Sequence, residues 1–327
     1  MIRPFVSIFQ RRLTSSIVKL SCLAVVLSLG SCGGSVPSDE SASGRGDLKV
    51  VTTFLPMTLF TTAVAGDCAT VTALIPPNLG PHDFQATPAT ASALSQAQVL
   101  VENGLDMEGF LEKLVSSADN ENLVTINTSA GVKTLESSES DHHDHHGHHH
   151  HAHGEVNPHI WLDPVRAAQQ VENIRDGLVE ADPDCATTYK RNAELYTQQL
   201  IDLHNDIRTQ LQPFTGKSFV AFHDFAPYFA ERYQLKASYI VDLPEMNPSP
   251  VELQRVATQV RQSQLQALLS EPQEGNRSFN ALANDLGVKI VEFDPLETGS
   301  FESSLDPNTY FNVMSTNVTN LIQAIGG

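Results

Sequence analysis

Four of the thirteen histidines in this chain, His82, His159, His204 and His223, lie in segments with the hydrophobic pattern of folded structure; the other nine fall within residues 141–153. His82, His159 and His223 each follow an apolar, strand-like segment. A single histidine at a strand end is most often only a hydrogen-bonding residue, but three placed alike indicate a shared site. Neutral imidazole is the commonest protein ligand for Zn²⁺, so the pattern predicts a zinc site. His204 lies at the margin of an apolar helix face, and we interpret it as structural.

A carboxylate would complete a tetrahedral zinc shell of nitrogen and oxygen atoms. Asp294 is the expected fourth ligand, because it follows an apolar strand in the same way as His223 does. Since Pro295 follows Asp294 and Glu297 comes three residues later, the same residue is equally consistent with a helix N-cap. Asp163, which also precedes a proline, is interpreted as a cap.

The histidine-rich tract at residues 141–153 predicts a second kind of metal binding. Dense imidazoles bind zinc, copper or nickel in many interchangeable geometries. Serines before the tract and glycines within and after it favour a mobile loop, residues 137–154, that gathers metal without fixing one geometry. Its internal position and its aspartates argue against an expression tag, the alternative interpretation. The metal-gathering residues are His142, His143, His145, His146, His148, His149, His150, His151 and His153.

Alternating strand and helix patterns predict the elements that must position these residues. The strands are expected at residues 48–54, 70–75, 99–102, 123–126, 217–222, 236–241, 266–270 and 288–293. The fold is therefore predicted to be α/β, with two lobes that each contain a parallel-type sheet. Ligands of such sheets bind beyond the carboxyl ends of the strands, so the metal site is expected in the cleft between the lobes.

A long amphipathic segment, residues 183–213, is expected to be a rigid helix that links the two lobes. It begins at an Asp-Pro signal, as does a shorter helix predicted to start at Pro164. The N-terminal lobe is assigned to residues 47–182, including the histidine-rich loop, and the C-terminal lobe to residues 214–327. The folded part of the chain is longer than one core usually fills.

The N-terminus indicates export. Residues 1–31 carry four basic and no acidic side chains and lead into a short apolar run, which is the pattern of a secretory signal. The run is too short for a membrane-spanning helix, and the sequence LGSC at its end predicts cleavage and lipidation at Cys32; an ordinary signal peptide is the alternative. Residues 32–46 would form a flexible tether, so the protein is expected to be exported, periplasmic and lipid-anchored to a membrane.

The charge and the cysteine content of the chain constrain its partners and its possible disulfide bonds. Removal of the leader would change the formal charge from -18 to -22, which argues against a nucleic-acid partner. Cys22 lies in the leader and Cys32 is the lipid site, which leaves Cys68 and Cys185. Export permits a disulfide between these two, but the sequence leaves the paired and free states equally open.

Several motifs together resemble those of a known family, the zinc-specific solute-binding proteins of metal ABC importers, or ZnuA-like group. The resemblance extends from residue 48 to the C-terminus. Asn157, where aspartate is more usual, and Glu297, where glycine is common, depart from the family pattern. The matching segments are Pro81-His82-Asp83-Phe84 with Thr87-Pro88, the histidine-rich insert, Asn157-Pro158-His159-Ile160-Trp161-Leu162-Asp163-Pro164, Phe222-His223-Asp224 with Tyr228-Phe229, and Phe293-Asp294-Pro295-Leu296.

The resemblance implies a high-affinity protein, not an enzyme, that captures extracytoplasmic Zn²⁺ and delivers it to the membrane permease of an ABC importer. It implies that His82, His159 and His223 are the ligands, with Asp294 as a weaker fourth ligand that water sometimes replaces. Nitrogen at position 223 favours zinc over manganese. The protein is expected to be a monomer with nearly rigid lobes. The disulfide found in the C-terminal lobe of many zinc members cannot form, because Cys185 is the last cysteine.

Two other functions fit parts of the sequence. A zinc hydrolase would use the three histidines and an activated water, with Glu271 as the general base, but no HExxH or comparable pair accompanies them. A metal-buffering or adhesin-like surface lipoprotein would bind zinc without a role in transport.

Overall fold

The structure is a computed structural model that describes residues 48–82, 84–137, 156–241, 243–244, 248–263, 265, 267–272 and 277–326. The predicted leader, the lipidation site at Cys32, the tether and the nine histidines of the histidine-rich loop lie outside these residues. The described residues belong to one compact unit, Ser43–Gly327. None of the helices in these ranges combines the length and the apolarity needed to cross a membrane.

The first sheet has four parallel strands in the order β2-β1-β3-β4. Short apolar runs suit parallel strands, because helices cover both faces of such a sheet, and the central residues Val50, Val99, Leu100 and Val101 are buried. The strands are β1 (Leu48–Thr52), β2 (Ala69–Ala73), β3 (Val99–Glu102) and β4 (Val124–Asn127). The connecting helices are α1 (Leu55–Ala65), α2 (Pro88–Ser95) and α3 (Leu111–Ala118).

Two packed helices follow, α4 (Pro164–Ala181) and α5 (Ala186–Leu211), and they lead from the first sheet to the second. Asp163 caps α4, as expected, since its side chain accepts a hydrogen bond from Val165 N at 3.0 Å. Helix α5 has 26 residues and buries one apolar stripe at intervals of three and four residues. The stripe consists of Tyr189, Ala193, Tyr196, Leu200, Leu203, Ile207 and Leu211.

The second sheet repeats the arrangement of the first, with parallel strands in the order β6-β5-β7-β8. Each strand predicted from the sequence in either sheet is present, with ends that differ by at most two residues. The strands are β5 (Ser218–His223), β6 (Lys236–Val241), β7 (Ala267–Ser270) and β8 (Lys289–Glu292). The helices are α6 (Pro227–Tyr233), α7 (Pro250–Ser263), α8 (Arg277–Leu286) and α9 (Thr309–Ile325).

One buried apolar cluster extends from the first sheet, through α1, α4, α5 and α9, to the second sheet. The single tryptophan of the chain, Trp161, is fully buried in it. Its ring meets Phe54 edge to face at 5.1 Å, its Nε1 donates to Pro295 O at 2.8 Å, and its carbonyl accepts from Tyr310 Oη at 2.7 Å. A large apolar interface between two halves restricts their relative motion, so the core supports the expected rigidity.

Cys68 and Cys185 form a disulfide, with their Cα atoms 6.2 Å apart. The bond ties the residue before β2 to the residue before α5. It therefore lies at the amino ends of the strands of the first sheet, on the opposite edge from the strand ends where ligands of parallel sheets bind.

Asp163 has a second role that the sequence did not indicate. Its buried carboxylate binds Arg166 Nη1 of α4 and Arg232 Nη2 of α6, each at 2.7 Å. The Arg166 guanidinium also lies 4.6 Å from the centre of the Tyr228 ring. This cluster joins the helix that follows the first sheet to a helix of the second.

Candidate metal centre

His82, His159, His223 and Glu297 converge on one point, and one ligand atom from each lies within 4.8 Å of all the others. Glu297 Oε1 is 2.9 Å from His159 Nε2, 3.3 Å from His223 Nε2 and 3.5 Å from His82 Nε2. A tetrahedral zinc ion with bonds of 2.0–2.1 Å separates its donor atoms by about 3.3–3.4 Å. The group therefore has the size and the donor atoms that Zn²⁺ requires.

The three rings come from three separate segments, as the sequence predicts. Their centroids are 5.2 Å apart for His159 and His223, 5.7 Å for His82 and His223, and 5.9 Å for His82 and His159. His82 lies in the loop after β2, His159 precedes the 3₁₀ turn Ile160–Leu162, and His223 ends β5. His159 and His223 are fully buried, while the side chain of His82 is 6% exposed.

His223 and Glu271 stand at the point where the strand order of the second sheet reverses. His223 ends β5 and Glu271 directly follows β7, and these strands are parallel neighbours. Crevices form at such switch points in parallel sheets. Glu271 Oε1 lies 2.5 Å from His223 Nδ1, so its carboxylate faces the ring nitrogen that points away from the donor group. This geometry suits an orienting role and not the role of a general base.

The carboxylate of the group is Glu297, and Asp294 is not part of it, which differs from the sequence expectation. Asp294 Oδ1 instead accepts from Leu296 N at 2.8 Å and closes a tight turn. Leu296 has φ 63°, in the left-handed region, and this turn directs the next residue, Glu297, toward the histidines. In the sequence, Glu297 stands out as a possible capping partner of Asp294 and as a departure from the family pattern, but not as a ligand.

A backbone contact joins the loops that carry His82 and Glu297. Gly299 N donates to Pro77 O at 2.6 Å. A Cβ at position 299 would lie 2.9 Å from Leu55 Cδ2, so a larger residue there would require the buried Leu55 side chain to shift. The first and second sheets thus each contribute a residue of this group through loops that touch one another.

Electrostatic effects in the group favour opposite charges on its members in the absence of metal. Burial alone would lower the pKa of His223, but the carboxylates of Glu271 and Glu297 outweigh it and raise that pKa well above 6.5. Burial alone would raise the pKa of Glu297, but His82, His223 and His159 outweigh it and hold it well below 4.5. For Asp294, burial, reinforced by nearby carboxylates, raises the pKa to about 6. A divalent cation can replace the protons that these groups hold.

His204 lies apart from this group. It is half-buried on α5, and its Nδ1 is 3.4 Å from Tyr233 Oη. Burial and the nearby Arg232 lower its pKa. This position agrees with the interpretation of His204 as a structural residue.

Comparison with known proteins places the chain among metal-binding proteins of bacterial uptake systems. The model of the family described as zinc-uptake complex component A, periplasmic (ZnuA), matches residues 50–324. The high-affinity zinc uptake system protein ZnuA of Bacillus subtilis is 33% identical over 90% of this chain and 93% of its own length. The manganese-binding lipoprotein MntA of Halalkalibacterium halodurans is 29% identical over 94% of this chain and 98% of its own length.

A third relative is longer than this chain. The zinc-binding lipoprotein AdcA of Streptococcus pneumoniae is 33% identical over 88% of this chain, which spans only 58% of that protein. The crystal structure of the Zn(II)-bound ZnuA-like domain of AdcA matches with a TM-score of 0.72 and 30% identity, over 86% of this chain and 100% of that domain. The two-lobed fold is therefore shared with a solved zinc-bound protein.

Proposed function

This chain belongs to the ZnuA family of periplasmic zinc-uptake components, and we propose that it captures Zn²⁺ with His82, His159, His223 and Glu297 for delivery to an ABC importer. The observation that carries the assignment of residues is the convergence of three imidazole Nε2 atoms on one carboxylate oxygen. Neutral imidazole suits zinc, whereas manganese favours a shell of oxygen donors. Three nitrogens and one oxygen therefore support zinc as the cargo, although one relative is a manganese-binding lipoprotein.

Capture fits this centre better than hydrolysis does. Catalytic zinc sites have three protein ligands and keep the fourth position open for water, whereas closed sites have four. Glu297 supplies a fourth donor in addition to the three histidines. Glu271, the candidate base, is hydrogen-bonded to His223 Nδ1. Both facts support a binding protein in place of a zinc hydrolase.

Solute-binding proteins of ABC importers work with a membrane permease, and we assign this chain the same partner. Its family is extracytoplasmic. We propose that Cys32 carries the lipid that anchors the mature protein, that the protein acts as a monomer, and that the nine clustered histidines collect zinc near the centre. The LGSC sequence and the density of imidazoles support these assignments.

Zinc titration of the mature protein against a chelator tests the ligand set. We expect one tight site that His159→Ala weakens by far more than tenfold, with His204→Ala as the matched control because His204 lies outside the group. Equal affinity of the wild type and His159→Ala would refute the proposed centre. Hydrolysis of an ester or peptide panel that vanished in His159→Ala would instead establish an enzyme.

Transport is tested in cells. A strain without the protein should grow poorly only when zinc is scarce, and its uptake of zinc should fall. Normal zinc uptake in that strain would favour the metal-buffering or adhesin-like alternative.

A further inference from the structure

Asn157 makes four hydrogen bonds with its side chain, and it is fully buried. Its Oδ1 lies 3.0 Å from His159 N and 3.0 Å from His159 Nδ1. Its Nδ2 donates to Asp224 O at 2.7 Å and to Asp224 Oδ2 at 3.1 Å. The amide therefore stands between the segment that carries His159 and the residue after His223.

The partners of Asn157 fix which way the amide points. A backbone carbonyl and a carboxylate oxygen can only accept, so the NH₂ group must face Asp224. The carbonyl oxygen Oδ1 must then face His159, where the backbone N–H donates to it. An acceptor at this place favours the ring tautomer with the hydrogen on Nδ1. Nε2 lies 2.9 Å from Glu297 Oε1, and once the hydrogen between these two atoms leaves, the lone pair of the neutral His159 ring is on Nε2.

We propose that Asn157 is a positioning residue for zinc capture, whose amide, oriented by Asp224, holds the His159 ring with its Nε2 lone pair toward the metal. This inference rests on the proposed function. Asn157 does not touch the cargo in this arrangement and acts only through His159. Its effect on affinity arises because a ring with a fixed tautomer and orientation needs no reorganisation when the ion arrives.

The same contacts set the spacing between ligands from the two halves. Asp224 directly follows His223, so the Asn157 amide links the His159 and His223 segments, whose Nε2 atoms are 3.3 Å apart. Tyr228 Oη reinforces the link, since it donates to Asn157 O at 2.6 Å and accepts from Leu135 N at 3.0 Å. This spacing falls within the donor separation of a tetrahedral zinc ion, about 3.3–3.4 Å.

A neutral amide suits this place for an electrostatic reason. The carboxylates of Glu271 and Glu297 already contact His223 in the centre. A carboxylate at position 157 would add a charge only about 3 Å from Asp224 Oδ2, and two carboxylates this close repel one another. An amide supplies the acceptor that His159 needs and the donor that Asp224 needs without another charge.

Two readouts on the mature protein test the proposal: the zinc dissociation constant, from competition with a chelator, and the ring ¹⁵N shifts of histidine-labelled, zinc-loaded protein. We expect Asn157→Ala to weaken zinc binding about 10- to 100-fold, as loss of a hydrogen-bond partner of a ligand does. Zinc on Nε2 keeps the hydrogen on Nδ1, but this hydrogen loses its acceptor in Asn157→Ala, so we also expect the Nδ1–H signal of His159 to vanish through exchange with water. An Asn157→Ala protein that kept both the wild-type affinity and this signal would overturn the proposal.

Asn173→Ala is the matched control. Asn173 also uses its amide to hold a loop, because Nδ2 donates to Thr128 O at 2.7 Å and to Ala130 O at 2.9 Å, and neither of these partners is a histidine. A purely structural loss should lower the Tm of Asn173→Ala and leave its zinc affinity and ring shifts unchanged. Equal losses of affinity in both variants would also contradict the proposal.

An exchange variant covers the case in which Asn157→Ala does not fold. Asn157→Asp combined with Asp224→Asn restores an acceptor for His159 and a side-chain hydrogen bond between the two segments with no change in net charge, but it loses the bond from position 157 to the backbone O of residue 224. It should keep the Nδ1–H signal of His159 and bind zinc within about tenfold of the wild type; loss of that signal would count against the idea. The proposed function would fail if the wild type bound no zinc or if His159→Ala bound zinc as tightly as the wild type. Equal zinc affinity and an equal Nδ1–H signal in Asn157→Ala and the wild type would defeat this inference alone.

Discussion

Glu271 Oε1 and His223 Nδ1 are 2.5 Å apart, and both side chains are buried at the boundary between β5 and β7. In the proposed centre, a carboxylate at this place would keep the hydrogen on Nδ1 and leave Nε2 to bind the metal. The two buried rings contact different groups through Nδ1, a carboxylate for His223 and an amide for His159.

Glu271→Gln should weaken zinc binding about tenfold, because the neutral amide still accepts from Nδ1 but no longer strengthens His223 as a donor. Glu292→Gln is the matched control, since it removes the same charge from the exposed end of the neighbouring strand β8. Chelator competition measures both. The orienting role would be excluded by a Glu271→Gln protein that binds zinc as tightly as Glu292→Gln.

Removal of the Glu297 carboxylate should cost more than removal of the Asp294 carboxylate. Glu297→Gln is expected to weaken zinc binding by about 100-fold or more, because loss of a direct donor exceeds the 10- to 100-fold effect of an outer partner. Asp294→Asn should have the smaller effect, since its Oδ1 can still accept from Leu296 N. Calorimetry with zinc measures the affinity of both variants. A larger loss of affinity in Asp294→Asn than in Glu297→Gln would make Asp294 the ligand.

Zinc should stabilise the protein more at pH 8 than at pH 6. In the metal-free protein the lowered pKa of Glu297 contributes stability that is present above pH 4.5 and is lost as the pH falls through its folded value. The raised pKa of His223 contributes stability that is present below pH 6.5 and is lost as the pH rises through its folded value. These contributions coincide between pH 4.5 and 6.5, where protons also compete with zinc. An increase in Tm on zinc addition that is the same at both pH values would contradict this account.

Loss of the disulfide should affect stability and not the metal centre. Replacing both Cys68 and Cys185 by serine is expected to lower the free energy of unfolding by about 2–5 kcal/mol, since the bond closes a loop with a sequence separation of 117. Zinc affinity should be unchanged, because the bond lies at the opposite edge of the first sheet. Denaturant unfolding of this variant measures the loss of stability, and a zinc titration measures its affinity. A large loss of zinc affinity would show that the two edges of the first sheet are coupled.

Deletion of residues 141–153 should leave one tight zinc site and remove several weak ones. Clustered imidazoles bind metal in interchangeable geometries, whereas the four converging donors lie outside the deleted segment. Calorimetry distinguishes the two classes by affinity and stoichiometry. Disappearance of the tight site would place the principal ligands in the tract.

The strands and three of the four donors could be predicted because their signals are local. Buried parallel strands are short apolar runs, and His82, His159 and His223 each follow such a run. The carboxylate that lies beside the three histidines could not be predicted, because the position of Glu297 depends on the left-handed conformation of Leu296. Spacing along the sequence does not reveal such a turn.

Contacts between segments that are far apart along the chain could not be predicted from the sequence either. The cap at Asp163 follows from the proline after it, but its bond to Arg232 joins residues 69 positions apart. The pairing of Cys68 and Cys185 likewise depends on the packing of α5 near the start of β2. The hydrogen bond of Asn157 to Asp224 likewise joins residues 67 positions apart.

Trp161 would be exposed to water if the two halves swung apart. Burial of 150–250 Å² of aromatic surface contributes about 4–6 kcal/mol at 25 cal/mol per Å², so a wide hinge opening would be costly. The loop after β2 that carries His82 can shift with less disturbance of this ring than the Glu297 loop, because Trp161 Nε1 donates to Pro295 O in the Glu297 loop. Release of the ion is therefore expected to begin when one or two of the donors move away from it, while the other donors keep their positions.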